Sequence, residues 1–144
     1  MIKHVLLMVA CAASLAVFTA CTTQPVPQDT TQAPSESAAL GAYETIDAEQ
    51  AKRMMDDSAS FVLVDVRTNE EYMEAHIEGA LLLPNEEIET SAADVLTDKS
   101  ATILVYCRSG RRSAEAAKKL AEMGYTAIYD FGGIIDWPYG TVSG

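Results

Sequence analysis

The sequence predicts an α/β fold, with helices on both faces of a mainly parallel central sheet. Short apolar runs rich in Val, Ile and Leu alternate along the chain with segments of helical periodicity, which is the order of elements in such folds. The run at residues 61–66, Phe-Val-Leu-Val-Asp-Val, is apolar at almost every position, as expected for a strand buried on both faces. At 144 residues the chain accommodates one domain of this class with some length to spare.

Capping motifs, glycines and prolines set the boundaries of the predicted elements. Asp47 with Gln50 forms a capping box, in which two side chains satisfy free backbone N–H groups at a helix start. Thr68 and Glu71 form a second box before the next helix. Gly124 suits the position just after a helix. The predicted strands are residues 61–66, 80–83, 101–106 and 125–129. The predicted helices are residues 48–56, 88–95 and 113–123 and a short one, capped by Thr68, that runs through Tyr72 to about Ala75.

Cys107 directly follows a predicted strand, at the sheet edge where parallel α/β folds gather reactive groups. A loop of about half a dozen residues with a central Gly110 leads from it to the helix predicted from Ser113. This geometry would surround the sulfur with backbone N–H groups and the positive end of a helix dipole. Both favour the thiolate, which is the nucleophilic form. The sequence therefore predicts a catalytic cysteine.

The charge distribution indicates a small anionic substrate. The chain carries 21 acidic and 10 basic residues, for a net charge of −11, which argues against nucleic-acid binding because that normally needs a basic face. Half of the basic residues nevertheless lie within a dozen positions, at Arg108, Arg111, Arg112, Lys118 and Lys119. A basic mouth on an acidic protein favours an anion, although we expect the two lysines to lie on a solvated helix face.

Residues 1–20 resemble a bacterial lipoprotein signal peptide. The apolar stretch Val5–Ala20 follows a short polar start and ends in small residues before Cys21, as in a lipobox. This predicts that Cys21 is lipid-modified and that the protein is exported and anchored to the extracytoplasmic face of a bacterial membrane. An uncleaved anchor helix is the alternative for the same stretch. In both cases the rest of the chain is exported and tethered.

The remaining chain divides into a tether and a folded domain. Residues 21–42 are rich in Thr, Gln, Pro, Ser and Ala and predict a flexible tether, whereas residues 43–144 carry the predicted elements. Cys11 would leave with the signal and Cys21 would be bonded to lipid, so Cys107 would be the free thiol of the mature chain. A lone thiol in an exported protein with electropositive surroundings favours a functional group. With two scattered His residues, no metal site and no cofactor are predicted.

Four motifs, in order along residues 43–144, resemble those of a single-domain rhodanese. They are Val64-Asp65-Val66-Arg67 with Glu70-Glu71-Tyr72, His76-Ile77-Glu78-Gly79-Ala80, Tyr106-Cys107-Arg108-Ser109-Gly110-Arg111-Arg112-Ser113, and Gly132-Gly133-Ile134 with Trp137. The resemblance implies a rhodanese-like fold and a sulfurtransferase. Cys107 would accept a sulfane sulfur from thiosulfate or from a persulfide or polysulfide, become a persulfide, and pass the sulfur to a thiol or other thiophilic acceptor.

The loop residues fit that chemistry. The predicted substrate-binding residues are Arg108, Ser109, Gly110, Arg111 and Arg112. Their N–H groups would stabilise the thiolate or the persulfide anion, and Gly110 allows a tight turn. Arg111 and Arg112 are the better candidates to bind an oxyanion through charge-assisted hydrogen bonds. Arg108 also faces the mouth in this interpretation, and the choice among the three arginines stays open.

The other motif residues are interpreted as structural. Asp65 is expected to accept hydrogen bonds from loop backbone or to pair with a basic group. Arg67 is expected to pair with an acid such as Glu70 or Glu71. His76 is interpreted as a satisfied structural residue and not a general base, because a thiol already made acidic by its loop needs none.

Two other functions compete with sulfur transfer. Cell-cycle phosphatases and arsenate reductases use Cys-X5-Arg in a loop one residue longer, whereas the sixth position after Cys107 is Ser113 here; the shorter loop fits a sulfur atom better than a tetrahedral phosphate. A non-catalytic rhodanese-like binding module is the second alternative, which the retained cysteine and basic loop disfavour. A resting persulfide or a partner reductase would keep the exported thiol in reactive form.

Overall fold

The computed structural model describes residues 42–58 and 60–144, which form a five-stranded parallel sheet flanked by helices. The strands are β1 (Glu44–Thr45), β2 (Val62–Asp65), β3 (Leu81–Leu82), β4 (Thr102–Cys107) and β5 (Ala127–Gly133). The helices are α1 (Ala48–Asp57), α2 (Asn69–Glu74), α3 (Ile88–Val95) and α4 (Arg111–Glu122), with 3₁₀ turns at Asn85–Glu87 and Ile134–Asp136. The predicted signal peptide, the lipidation site at Cys21 and nearly all of the predicted tether lie outside these residues.

The strand order is β1-β5-β4-β2-β3, and every neighbouring pair is parallel. This confirms the predicted α/β class. The central strand is β4, which ends at Cys107, so the thiol lies at the carboxyl edge of the sheet, in the middle. No helix in the described part of the chain is long and apolar enough to cross a membrane.

Each face of the sheet is covered by its own apolar core. On the face of α3 and α4 the core includes Val64, Val105, Ile88, Ala117 and Leu120. On the face of α1 and α2 it includes Leu63, Leu104, Ala51, Ile77 and Phe131. The alternation of neighbours such as Leu104 and Val105 between the two cores is what a strand buried on both faces requires. Cys107 belongs to the α3–α4 core.

Both predicted capping boxes are present. The Asp47 carboxylate accepts from the backbone of Gln50 at 2.7 Å, and the Gln50 side chain accepts from the backbone of Asp47 at 3.0 Å. Thr68 and Glu71 exchange the corresponding pair of hydrogen bonds at the start of α2. Helix α3 has the predicted bounds. Local capping motifs therefore fix the starts of α1 and α2.

Most predicted boundaries shift by one residue, and three differences are larger. Helix α4 begins at Arg111, two residues before the predicted Ser113, because Gly110 adopts φ 98° and turns the chain directly into the helix. Strand β5 spans Ala127–Gly133 and not residues 125–129, so the glycine pair lies inside it. Strand β1 was not predicted: its two residues are exposed, and pairing with β5 defines it.

A buried ion pair closes the end of β2. The Arg67 guanidinium donates to both carboxylate oxygens of Asp65, at 2.6–3.1 Å, and the Arg67 backbone N–H donates to the same carboxylate at 3.0 Å. The guanidinium also donates to the carbonyl of Ala75 at the end of α2. The predicted partners Glu70 and Glu71 were therefore wrong, whereas both expected roles of Asp65 are present. Asp65 is 0% exposed and Arg67 5%.

Removal of one partner of this pair is expected to leave an uncompensated buried charge. Asp65→Asn keeps the side-chain shape and should destabilise the protein by roughly 3–5 kcal/mol, measured as the free energy of unfolding in urea. The exposed pair of Glu49 with Arg53 provides the control: Glu49→Gln should cost less than about 1 kcal/mol. Equal losses in the two variants would contradict the importance of the Asp65–Arg67 pair.

Candidate active site

The Cys107 sulfur lies between the end of β4 and the start of α4. Its side chain is buried, with the residue 1% exposed, and it is a free cysteine. The chain turns at residues 108–110, and Gly110 enters the left-handed region that glycine tolerates best. This turn directs the Gly110 N–H at the Cys107 sulfur, at an N···S distance of 3.1 Å. One N–H of the predicted ring therefore points at the thiol.

The surroundings lower the pKa of the Cys107 thiol below its usual value of 9.0. Burial acts in the opposite direction, since it disfavours the charged form, and it is the largest single influence. Hydrogen bonding from the Ser113 backbone and hydroxyl, together with the backbone N–H groups of Ser109 and Gly110, outweighs it. Ser113 was outside the predicted donor set of residues 108–112; its place in the first turn of α4 brings it to the sulfur.

The Gly132–Gly133 pair at the end of β5 lies next to the loop at residues 108–110. The β4–β5 register shifts after Val105, so that Cys107 lies opposite Gly133. A Cβ on Gly133 would come within 2.4 Å of the Arg108 carbonyl oxygen and 2.7 Å of the Ser109 Cα. The two backbone segments are therefore in direct contact, which only glycine allows at this position.

Two hydrogen-bonding groups tie the loop to this support. The Ser113 hydroxyl lies 3.0 Å from the Gly110 carbonyl and 3.2 Å from that of Gly132, so it links helix, loop and strand. The Ile135 N–H donates to the Arg108 carbonyl at 3.3 Å. The glycine motif was recognised in the sequence, but its contact with the thiol loop depends on the sheet register and was not predicted.

The three arginines of the loop differ in their partners. Arg112 donates from both terminal nitrogens to the two carboxylate oxygens of Glu71, at 2.7 and 2.8 Å. Arg111 pairs with Glu115 at 2.7 Å on the exposed face of α4. Arg108 is exposed, and its guanidinium has no hydrogen-bond partner or ion pair among the described residues. The predicted binding role of these arginines stays a prediction.

His76 makes the contacts of a structural residue. Its ring stacks on Tyr72 with centroids 3.8 Å apart, and its Nδ1 lies 2.9 Å from the Tyr72 carbonyl oxygen. Its backbone exchanges two hydrogen bonds with Val142 near the carboxyl end of the described chain. Within residues 42–58 and 60–144, no group of three or more His, Cys, Asp or Glu side chains is placed to hold a metal ion.

Comparison with known proteins places these features in a family. The model of the rhodanese-like domain matches residues 47–138. The thiosulfate sulfurtransferase PspE of Escherichia coli is 41% identical over 73 residues, which cover 51% of this chain and 70% of the relative. A sulfurtransferase of Allochromatium vinosum is 36% identical over 93 residues, covering 64% of this chain and 85% of the relative.

Solved structures give the same result. A rhodanese with anions from E. coli superposes with a TM-score of 0.56 at 38% identity, covering 59% of this chain and all of that one (100%). A rhodanese-like domain protein from Staphylococcus aureus superposes with a TM-score of 0.60 at 29% identity, covering 70% of this chain and 98% of that one.

The lowered pKa predicts that Cys107 reacts with iodoacetamide at a pH where an ordinary thiol is mostly protonated. The rate on the peptide that carries Cys107 should rise with a midpoint below pH 9.0, because the thiolate is the reacting form. Ser113→Ala removes the hydroxyl and should raise this midpoint. A wild-type midpoint at or above pH 9.0 would contradict the activation of this thiol.

Gly133→Ala is expected to displace the thiol loop, since its Cβ would overlap the Arg108 carbonyl oxygen. The change should cost about 1–3 kcal/mol of folding free energy and raise the pH midpoint of Cys107 alkylation. Gly79→Ala is the control: it strains a backbone at φ 80°, but its Cβ meets open space. An equal shift of the Cys107 midpoint in both variants would refute the supporting role of Gly133.

Proposed function

Because the chain belongs to the rhodanese family, we propose that it transfers a sulfane sulfur through a persulfide on Cys107. The observation that carries the proposal is a buried sulfur that accepts the Gly110 N–H and whose pKa is lowered. The relatives named as sulfurtransferases support the same reaction class. Sulfur transfer needs a thiolate in the first half of the cycle and a stabilised persulfide anion in the second, and one arrangement of donors serves both.

In the first step the Cys107 thiolate attacks the outer sulfur of the donor. A new S–S bond forms, the S–S bond of the donor breaks, and its electron pair leaves with the remainder. For thiosulfate the products are the Cys107 persulfide anion and sulfite, so atoms and charge balance without another oxidant or reductant. In the second step an acceptor thiolate attacks the outer sulfur of the persulfide, and the Cys107 thiolate is the leaving group.

Burial of Cys107 restricts the reaction to small or protruding groups. The residue is 1% exposed, so the donor must present its terminal sulfur at the end of a narrow group. Thiosulfate, a persulfide and a polysulfide all do so. Arg108 in the loop and Arg111 at the start of α4 are exposed and are the proposed contacts for a donor that approaches from solvent.

The proposed place of the reaction is outside the cytoplasm. The expectation rests on the resemblance of residues 1–20 to a lipoprotein signal and on Cys21 as the lipid-bearing residue. A thiol acceptor or a reductase partner on the same side of the membrane would then remove the sulfur and return Cys107 to its thiolate.

An intact-mass measurement on the full chain tests the reaction. Exposure to thiosulfate, and separately to polysulfide, should add the mass of one sulfur atom, and cyanide should remove it as thiocyanate. Cys107→Ser should gain nothing. Cys21→Ser should still gain sulfur, since it keeps the buried thiol.

The outcomes separate the competing functions. Sulfur gained from polysulfide and not from thiosulfate would identify a sulfurtransferase with a different donor. No gain from either donor, with Cys107 reduced and accessible to alkylation, would sink the proposal and favour a non-catalytic binding module. Turnover of an aryl phosphate that depends on Cys107 would favour the phosphatase alternative.

A further inference from the structure

The ion pair between Glu71 and Arg112 joins two elements that are far apart in the sequence and close at the thiol. Glu71 lies in the first turn of α2 and Arg112 in the first turn of α4. Both terminal nitrogens of the guanidinium donate to the carboxylate, at 2.7 and 2.8 Å. The side chain of Arg112 is 18% exposed and that of Glu71 26%, so this pair is better protected from solvent than the exposed pair of Arg111 with Glu115. Two parallel charge-assisted hydrogen bonds are the strongest geometry available to arginine.

The Glu71 carboxylate is held in place independently of Arg112. It accepts the backbone N–H of Thr68 as part of the capping box of α2. The hydrogen bond from Arg112 lowers the pKa of Glu71 most, and the pKa falls to about 2. Glu71 is therefore a fixed negative charge at any pH at which the protein functions.

Arg112 lies in the first turn of α4, five positions after Cys107 and directly after the loop that holds the thiol. The bond to Glu71 is the main cause of its raised pKa, and burial opposes it. A negative charge on Cys107 also raises the pKa of Arg112, in agreement with this position. A donor bound at Cys107 would thus meet Arg112, but the terminal N–H groups of this arginine are already directed at Glu71.

The other two arginines, Arg111 and Arg108, differ from Arg112 in their exposure and in their ion pairs. Arg111 and Glu115 have exposed side chains, at 73% and 46%, so water screens their interaction and either group is released at little cost. Arg108 has no side-chain partner in the described chain. On the side of the site that is shielded from solvent, a donor would therefore meet the nearly neutral Arg112–Glu71 pair and not a free cation.

We infer that Glu71 determines donor specificity by withholding Arg112 from the donor. The inference rests on the proposed sulfur transfer and names its donor class. With Arg112 neutralised, the mouth favours sulfane donors that carry one negative charge, such as thiosulfonates and alkyl persulfides, over the doubly charged thiosulfate. Glu71 is a positioning residue in this role, because it acts through Arg112 and not on the sulfur.

A matched pair of donors isolates the effect of charge. Thiosulfate and methanethiosulfonate deliver the same outer sulfur from a sulfonyl-type group of similar size, as dianion and monoanion. Glu71→Gln preserves the capping box, since Gln is equally suited to its third helical position, and it frees Arg112. We expect kcat/KM for thiosulfate to rise about tenfold more than kcat/KM for methanethiosulfonate, mainly through KM.

Glu122→Gln is the matched control. It also removes one negative charge, from an exposed pair with Lys118 at the far end of α4, and should leave the donor ratio within about twofold of wild type. Glu71→Asp keeps the charge and should retain the wild-type preference. A merely structural role for Glu71 would lower kcat/KM for both donors together, and this outcome would overturn the inference.

The double variant Glu71→Gln/Arg112→Gln tests the inference without a free cation. It replaces a neutral pair with another neutral pair, so the donor ratio should stay within about twofold of wild type. A selective loss of thiosulfate activity would mean that Arg112 binds the donor directly, and would refute the inference. If no donor places sulfur on wild-type Cys107, the proposed function itself fails; unchanged ratios in an active Glu71→Gln enzyme refute the specificity role alone.

Discussion

Burial of the Cys107 sulfur is the constraint on which the rest of the site depends. Cys107 is 1% exposed, and burial raises the pKa of its thiol and so opposes the thiolate that the proposed chemistry requires. The carboxyl edge of a parallel sheet resolves this conflict, because a helix can begin there and direct its first N–H groups at the end of the strand. The contributions of Ser109, Gly110 and Ser113 are the local form of that solution.

Those N–H groups act on the sulfur only while the loop keeps its shape, and backbone packing holds that shape. The Gly133 backbone lies against Arg108 and Ser109 where any Cβ would overlap them. The Ser113 hydroxyl links the loop carbonyl of Gly110 to the strand carbonyl of Gly132. Ser113 is also among the groups that lower the pKa of Cys107. One residue therefore both ties the loop to the strand and favours the thiolate.

The sequence predicted what local patterns encode. Capping boxes such as Thr68 with Glu71 place helices because their partners are three residues apart, and the run before Cys107 is apolar enough to identify β4. Contacts set by the assembled sheet were not predictable in this way. The partner of Arg112 is 41 positions away. Arg67 pairs with Asp65, two residues before it, and no local motif marks Asp65 over Glu70 or Glu71 as its partner. The early start of α4 has a related cause: Gly110 caps it without a side-chain hydrogen bond, so no capping motif marks it.

The ion pairs around Cys107 show why a count of basic residues in the sequence overstates the positive electrostatic potential near the thiol. The segment that looks strongly basic in the sequence is largely neutralised in the fold: Arg111 pairs with Glu115, Lys118 with Glu122, and Lys119 lies near Glu89. The guanidinium of Arg112 is neutralised by Glu71 from another helix. Long-range attraction of anions is therefore weaker than the sequence implies, because a cation and its paired carboxylate cancel beyond a few ångströms. In the proposed reaction, discrimination between sulfur donors therefore takes place at short range. It depends on the direction of each N–H group and on the number of charges that the donor carries.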